Sequence, residues 1–254
     1  MSVANATTID LLRRLLSRDD YVSIAEKIRQ DSDVMNLLEF TLHILRHHCL
    51  PYQDHATMDI SQRARRLMLK IISKTPVVPR SFIVTGVNLP DKRDYIGRGG
   101  YGSVFKGEFL GTVVALKELY KNDVNNLVSF QSLFLRHPCL FHQAFCREAL
   151  MWGSLKHNFV LPFIGIHEVE DETAFLVSPY MKNGTLALWR KNTNPSVAQI
   201  TEHVWFFLPL ALRRCSLSRK MLEVAQGMEY IHSEGVVHGD LRGVRYLKHA
   251  LLRF

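Results

Sequence analysis

The segment Ile96-Gly-Arg-Gly-Gly-Tyr-Gly-Ser-Val-Phe-Lys-Gly, followed by Val113-Val-Ala-Leu-Lys, constrains this chain more than any other. Its spacing is Gly97-x-Gly99-x-x-Gly102-x-Val104, with Lys117 closing the second stretch. Dinucleotide-binding folds use the same glycines, but they place a helix directly after them. Here the glycines precede Val104, Phe105 and Phe109, a Gly111-Thr112 step, and then Val113 to Leu116. That pattern reads as two strands joined by a turn, with the glycines in a hairpin. Glycine lets a backbone approach phosphate oxygens without a Cβ in the way. Lys117 on the next strand adds a compact positive charge. Together they read as a clamp for nucleotide phosphates.

Composition sets the frame for that clamp. The chain has 254 residues, 47% of them hydrophobic, enough for one or two globular domains with a real core. No apolar run reaches the roughly 18 residues that a membrane span requires. Asp10 and Arg13 interrupt the N-terminal apolar residues, so no secretory signal is expected and the predicted location is cytoplasmic. Cys49, Cys139, Cys146 and Cys215 form no C-x-x-C pair and read as reduced, non-metal cysteines. The net charge of +8 raises nucleic acid as a partner, but the basic residues are scattered. The one dense group, Arg63, Arg65, Arg66 and Lys70, reads as a solvated helix face, so neither nucleic acid nor membrane is expected.

Two regions follow from the periodicity. Residues 1–80 read as a bundle of three or four helices. Ile9, Leu12, Leu15 and Leu16 share helical spacing, as do Val34, Leu37, Leu38, Leu42 and Leu45. Asp31 and Asp33 are candidate caps, and an amphipathic stretch from Ser61 to Ile72 ends before Pro76 and Pro79. This bundle reads as a packing or partner-docking module. His43 and His47 stand four apart, a metal-compatible spacing, but without a third ligand they read as ordinary histidines. From Ser81 the pattern turns to short strands, expected near 93–97, 103–110, 112–119, 163–169 and 173–178. Helices are expected near 144–156, 184–191 and 220–233. The fold class is α+β.

Phosphoryl transfer needs a triphosphate held still, its charge neutralised and an acceptor hydroxyl aligned. A lysine in that role needs an orienting carboxylate, and Phe145-Cys-Arg-Glu-Ala-Leu-Met-Trp offers Glu148. Further on come Ala174-Phe-Leu-Val-Ser, Pro179-Tyr-Met-Lys-Asn-Gly, and His238-Gly-Asp-Leu-Arg. In this order the motifs resemble the protein kinase superfamily, most closely its tyrosine-kinase-like branch, over about residues 90–243.

The resemblance implies a small lobe at about 90–182, an antiparallel sheet plus one helix, and a helical large lobe from 183 onward. It also implies ATP as phosphoryl donor, with magnesium, and a protein Ser, Thr or Tyr hydroxyl as acceptor. On that pattern Ile96, Gly97, Gly99, Gly100 and Gly102 cover the nucleotide, and Val104 and Ala115 sandwich the adenine. Lys117 and Glu148 form an ion pair, Ser178 is the gatekeeper, and Met181 supplies the hinge amide. Asp240 orients the acceptor hydroxyl. Gly239 replaces the family's arginine, which puts control by activation-segment phosphorylation in doubt.

The pattern also departs from the family. Arg245 stands where a magnesium-binding asparagine is expected, and the chain ends at Phe254 without Asp-Phe-Gly or Ala-Pro-Glu. The large lobe therefore reads as incomplete, truncated within the catalytic loop, with no metal ligands of its own. Residues 128–143 and 204–220 read as insertions, because joining their flanks restores kinase-like sequence. Each begins with a valine and ends in Gln or Lys, which suits retained introns. Two readings result: an ATP-dependent protein kinase, or a catalytically inactive binding module or defunct product of a kinase gene.

Overall fold

Proline marks where the helical region stops. The structure, a computed structural model, describes residues 3–23, 27, 31–46, 55–89, 95–99, 102–119, 140–169, 173–182 and 216–237. Among the described residues, the N-terminal region holds the helices α1 (Val3–Leu16), α2 (Asp31–Arg46) and α3 (His55–Lys74). Helix α3 stops just before Pro76, whose ring cannot follow a helical residue without a clash. The buried residues fall at helical spacing: Leu12 and Leu16 on α1, Val34, Leu38, Leu42 and Leu45 on α2, and Ala64, Leu67, Met68, Ile71 and Ile72 on α3. Helix α3 is the hub, packing on α1, on α2, on the 3-10 turn Tyr21–Ser23, and on a helix from much later in the chain.

Six described strands form one antiparallel sheet: β1 (Val87–Asn88), β2 (Tyr95–Gly99), β3 (Gly102–Phe109), β4 (Thr112–Leu119), β5 (Gly165–Val169) and β6 (Thr173–Pro179). The order is β1-β3-β4-β6-β5, with β2 also pairing with β3. The β3–β4 connection is a two-residue turn, Leu110-Gly111, with φ of 50° and 72°. Positive φ at both central residues matches the right-handed twist of the flanking strands. One sheet face is apolar, with Val87, Val114, Leu116, Phe175 and Val177 at its centre. Helix α4 (Leu140–Gly153) buries Phe145, Cys146, Ala149, Leu150 and Trp152.

The chain divides into two compact units. The first is Met1–Leu155 with Phe163–Tyr180, and it holds the N-terminal helices, the sheet and α4. The second is Lys156–Pro162 with Met181–Phe254. Within it, helix α5 (Ser216–Ser233) buries Tyr230 and Ile231, and Tyr230 stacks on His157 and accepts a hydrogen bond from the Lys156 amide. At the other end of α5, Met221 and Leu222 are exposed.

Several expectations shift by a few residues, and one fails. The two-residue strand β1 is too short to show alternation in sequence. Helix α4 begins at Leu140, inside the stretch read as an insertion, and α5 begins at Ser216, inside the other. The helix expected near 184–191 lies outside the described residues. The solvated face of Arg63, Arg65, Arg66 and Lys70 is corrected: Arg65 is only 3% exposed, while Arg66 is open to water. A long apolar stem lets arginine enter a core when its head finds oxygens to bind.

Candidate functional site

Strand register assembles the site. In β2, β3, β4 and β6 the paired residues Gly97↔Val104, Val104↔Lys117 and Lys117↔Leu176 form one row across the sheet. The next row is Lys106↔Ala115 and Ala115↔Ser178. Directly opposed residues share a face, and so do residues two apart on a strand. Val104, Ala115, Lys117 and Ser178 therefore lie on one face of the sheet, opposite the apolar cluster. Val104, Ala115 and Ser178 are buried.

Helix α4 brings Glu148 to this face. Lys117 Nζ donates a hydrogen bond to Glu148 Oε1, and the two form an ion pair. Their side chains are 11% and 16% exposed, withdrawn from bulk water yet reachable from it. At such a boundary a pair keeps much of its Coulomb attraction without the full cost of burying two charges. Glu148 is aimed by its neighbours: Cys146, Ala149 and Leu150 are buried, while Arg147 points to solvent. The glycine strand lies beside them. Among the described residues, no atom comes within 4 Å of the position that a Cβ at Gly97 would take.

The other expected residues are distributed as follows. Gly99 pairs with Gly102 at the tip of the β2–β3 hairpin. Ile96 sits at a register irregularity between Tyr95 and Gly97 and is 40% exposed. Met181 is half-buried and belongs to the second unit. Gly100 and Asp240 lie outside the described residues, as do Gly239, Arg245 and His47. His43 is exposed, and among the described residues no group of three or more His, Cys, Asp or Glu is placed to hold a metal. Among them, too, no helix is long and apolar enough to cross a membrane.

A second set of polar contacts lies at the C-terminal end of α4 and went unforeseen. Arg65 Nε donates to Ser154 Oγ and its terminal nitrogen to the Ser154 carbonyl, both at 3.1 Å. Arg46 Nε donates to the Gly153 carbonyl at 2.6 Å. Burial works to lower the Arg46 pKa, with the Glu39 charge opposing it. The small pair Gly153-Ser154 after an apolar helix was the available signal, but its partners lie 107 and 89 residues earlier.

Comparison with known proteins bears on what this face does. Residues 91–247 match the family described as protein tyrosine and serine/threonine kinase. The chain is similar to the probable serine/threonine-protein kinase kinX of Dictyostelium discoideum, 32% identical over 153 residues, which is 60% of this chain and 12% of that protein. It is 31% identical over 168 residues to the probable kinase drkD of the same organism, covering 65% of this chain and 10% of drkD. A probable receptor-like protein kinase of Arabidopsis thaliana is 26% identical over 166 residues, covering 61% of this chain and 22% of that protein. The chain thus spans less than a quarter of the length of each of these relatives.

Proposed function

Because this chain belongs to the protein tyrosine and serine/threonine kinase family, we propose that it binds ATP and serves transfer of the γ-phosphoryl group to a protein hydroxyl. The tyrosine-kinase-like branch is the one its motifs resemble most. The observation that carries this reading is the Lys117–Glu148 ion pair, set in the same row as Gly97 and Val104.

The residues present suit a purine triphosphate. Gly97, Gly99, Gly100 and Gly102 offer backbone amides to the phosphates without side chains in the way. Lys117, oriented by Glu148, neutralises phosphate charge. Val104 and Ala115 present small apolar surface for the purine, with Ile96 at the rim, Ser178 behind it and the Met181 amide as hydrogen-bond donor. In the transfer itself the acceptor oxygen bonds to the γ-phosphorus as the bond to the β–γ bridging oxygen breaks. Asp240 is assigned to take the acceptor's proton. Magnesium suits this chain less well. Arg245, a cation, stands in the sequence where the family pattern has a metal-binding asparagine.

That same arginine favours a second reading, in which the chain binds nucleotide without efficient transfer. Losing electrostatic stabilisation of the transferring group costs about two to three orders of magnitude in rate. A thermal-shift titration with ATP, alongside a phosphate-transfer assay, separates the two. Transfer abolished by Asp240→Ala supports the kinase reading. A Lys117-dependent shift without transfer supports the binding reading. A wild-type chain that shows neither contradicts both.

A further inference from the structure

Helix α4 is fastened to the N-terminal helices at both ends, and Glu148 lies between the fastenings. Near its start, Gln143 Nε2 donates to the Ser73 carbonyl at the end of α3 (3.3 Å). At its finish, Arg46 from α2 holds the Gly153 carbonyl, and Arg65 from α3 holds Ser154 through both its hydroxyl and its carbonyl. The last carbonyls of a helix have no partner within the helix and carry partial negative charge. Two guanidinium groups at that end answer both needs. A guanidinium as buried as that of Arg65 is tolerated where its N–H groups are taken up by oxygens.

The connecting segment completes the clasp. Phe82 is fully buried, with the Arg46 guanidinium 4.8 Å above its ring and Phe163 edge-on at 4.8 Å. A Cβ at Gly153 would overlap the Phe82 ring, so glycine is required where helix and segment meet. The next residues are stitched to the sheet. The Val84 amide donates to the Ile166 carbonyl (2.9 Å), and the Val84 carbonyl accepts from His167 Nδ1 (3.3 Å). Glu39 on α2 accepts from the amide and hydroxyl of Ser81.

We infer that Arg46 and Arg65 are positioning residues for Glu148: by fixing the C-terminal end of α4 they set its carboxylate against Lys117. This rests on the nucleotide-site reading of that pair and deepens it, making the N-terminal helices part of what assembles the site. Glu148 precedes Gly153 by five residues, about 7.5 Å of helix rise, so a displacement of that end carries to the carboxylate.

The test uses the full chain and the variants Arg65→Ala, Arg46→Met and Glu148→Gln, at a temperature where circular dichroism shows each folded. Two readouts are taken: the rate at which a small amine-reactive ester acetylates Lys117, followed by peptide mass spectrometry, and the affinity for ATP. Arg65→Ala is expected to raise the acetylation rate about threefold and to weaken ATP binding about fivefold. Adding Arg65→Ala to Glu148→Gln adds nothing further, as for residues acting through one contact. Arg46→Met, which keeps an apolar stem near Phe82, shifts both readouts the same way by less. The inference is overturned if Arg65→Ala lowers melting temperature yet leaves Lys117 reactivity at the wild-type value, or if its effect multiplies with that of Glu148→Gln. If the wild-type chain binds no ATP, the nucleotide reading fails and the acetylation rates alone decide the positioning role. If Arg65→Ala does not fold, Arg46→Met decides it.

Discussion

Among the basic side chains that reach helix α4, Lys117 and Arg65 differ in what surrounds them. Lys117 comes from the sheet, meets a carboxylate midway along the helix, and keeps some contact with water. Arg65 comes from the N-terminal helices, meets neutral oxygens at the helix end, and is almost dry. An ammonium at a wet boundary can exchange its partner for a phosphate at modest cost. A guanidinium in a dry pocket cannot let go without leaving unsatisfied donors. The first is suited to a ligand and the second to holding a structure in place.

Substitutions on the dry side should cost most in stability. Phe82→Ala removes a fully buried ring beneath Arg46 and should destabilise the chain by about 3–5 kcal/mol in urea unfolding. A loss below about 1 kcal/mol would mean that the connecting segment is not part of the core. Arg65→Ala comes next, at about 2 kcal/mol, because it strips charged hydrogen bonds from buried oxygens.

On the wet side the balance reverses. Lys117→Ala should cost less stability than Arg65→Ala, since the Glu148 carboxylate left behind is 16% exposed and can take up water, while ATP affinity falls at least about tenfold, a difference of about 1.4 kcal/mol in binding. Equal losses of stability for Lys117→Ala and Arg65→Ala would erase the distinction between the two sides. Calorimetric melting of both variants measures this.

The smallest effect is expected at Glu168. Burial pushes its carboxyl up, with His167 pulling the other way, and its buried Oε1 has no hydrogen-bond partner among the described residues. A folded-state value above the unfolded one means that stability is fully present below the unfolded pKa and is lost as pH rises through the folded value. Glu168→Gln should therefore raise the melting temperature slightly at about pH 7 and make no difference at about pH 3.5. A gain of the same size at both pH values would show that the charge is irrelevant.

Lys117 was legible in sequence because everything that specifies it is local. The glycines, Val104 and the lysine lie within 21 residues, and hairpin register alone brings Val104 opposite Lys117. Glu148 was reached through its place in the motif order, and it sits on the helix expected there. Arg65 was not legible. Its neighbours Arg63 and Arg66 share its chemistry, yet Arg66 is in water and Arg63 bonds the Leu16 carbonyl. Arg65 follows buried Ala64 on α3, but a charged side chain beside a buried one gives no sign of its own burial. The partner that accounts for its burial, Ser154, is 89 residues away. The early start of α4 is hidden for a related reason: Leu140 to Gln143 interrupt kinase-like sequence, which masks their helical continuity with Phe145.

The most direct test of the nucleotide site is to treat the folded chain with an acyl-phosphate derivative of ATP, whose adenine and phosphates deliver a reactive carbonyl to the nearest amine, and to map the modified peptides. The account predicts that modification concentrates on Lys117 and is suppressed by competing ATP. Modification spread over surface lysines, or at Lys117 but indifferent to ATP, would contradict it.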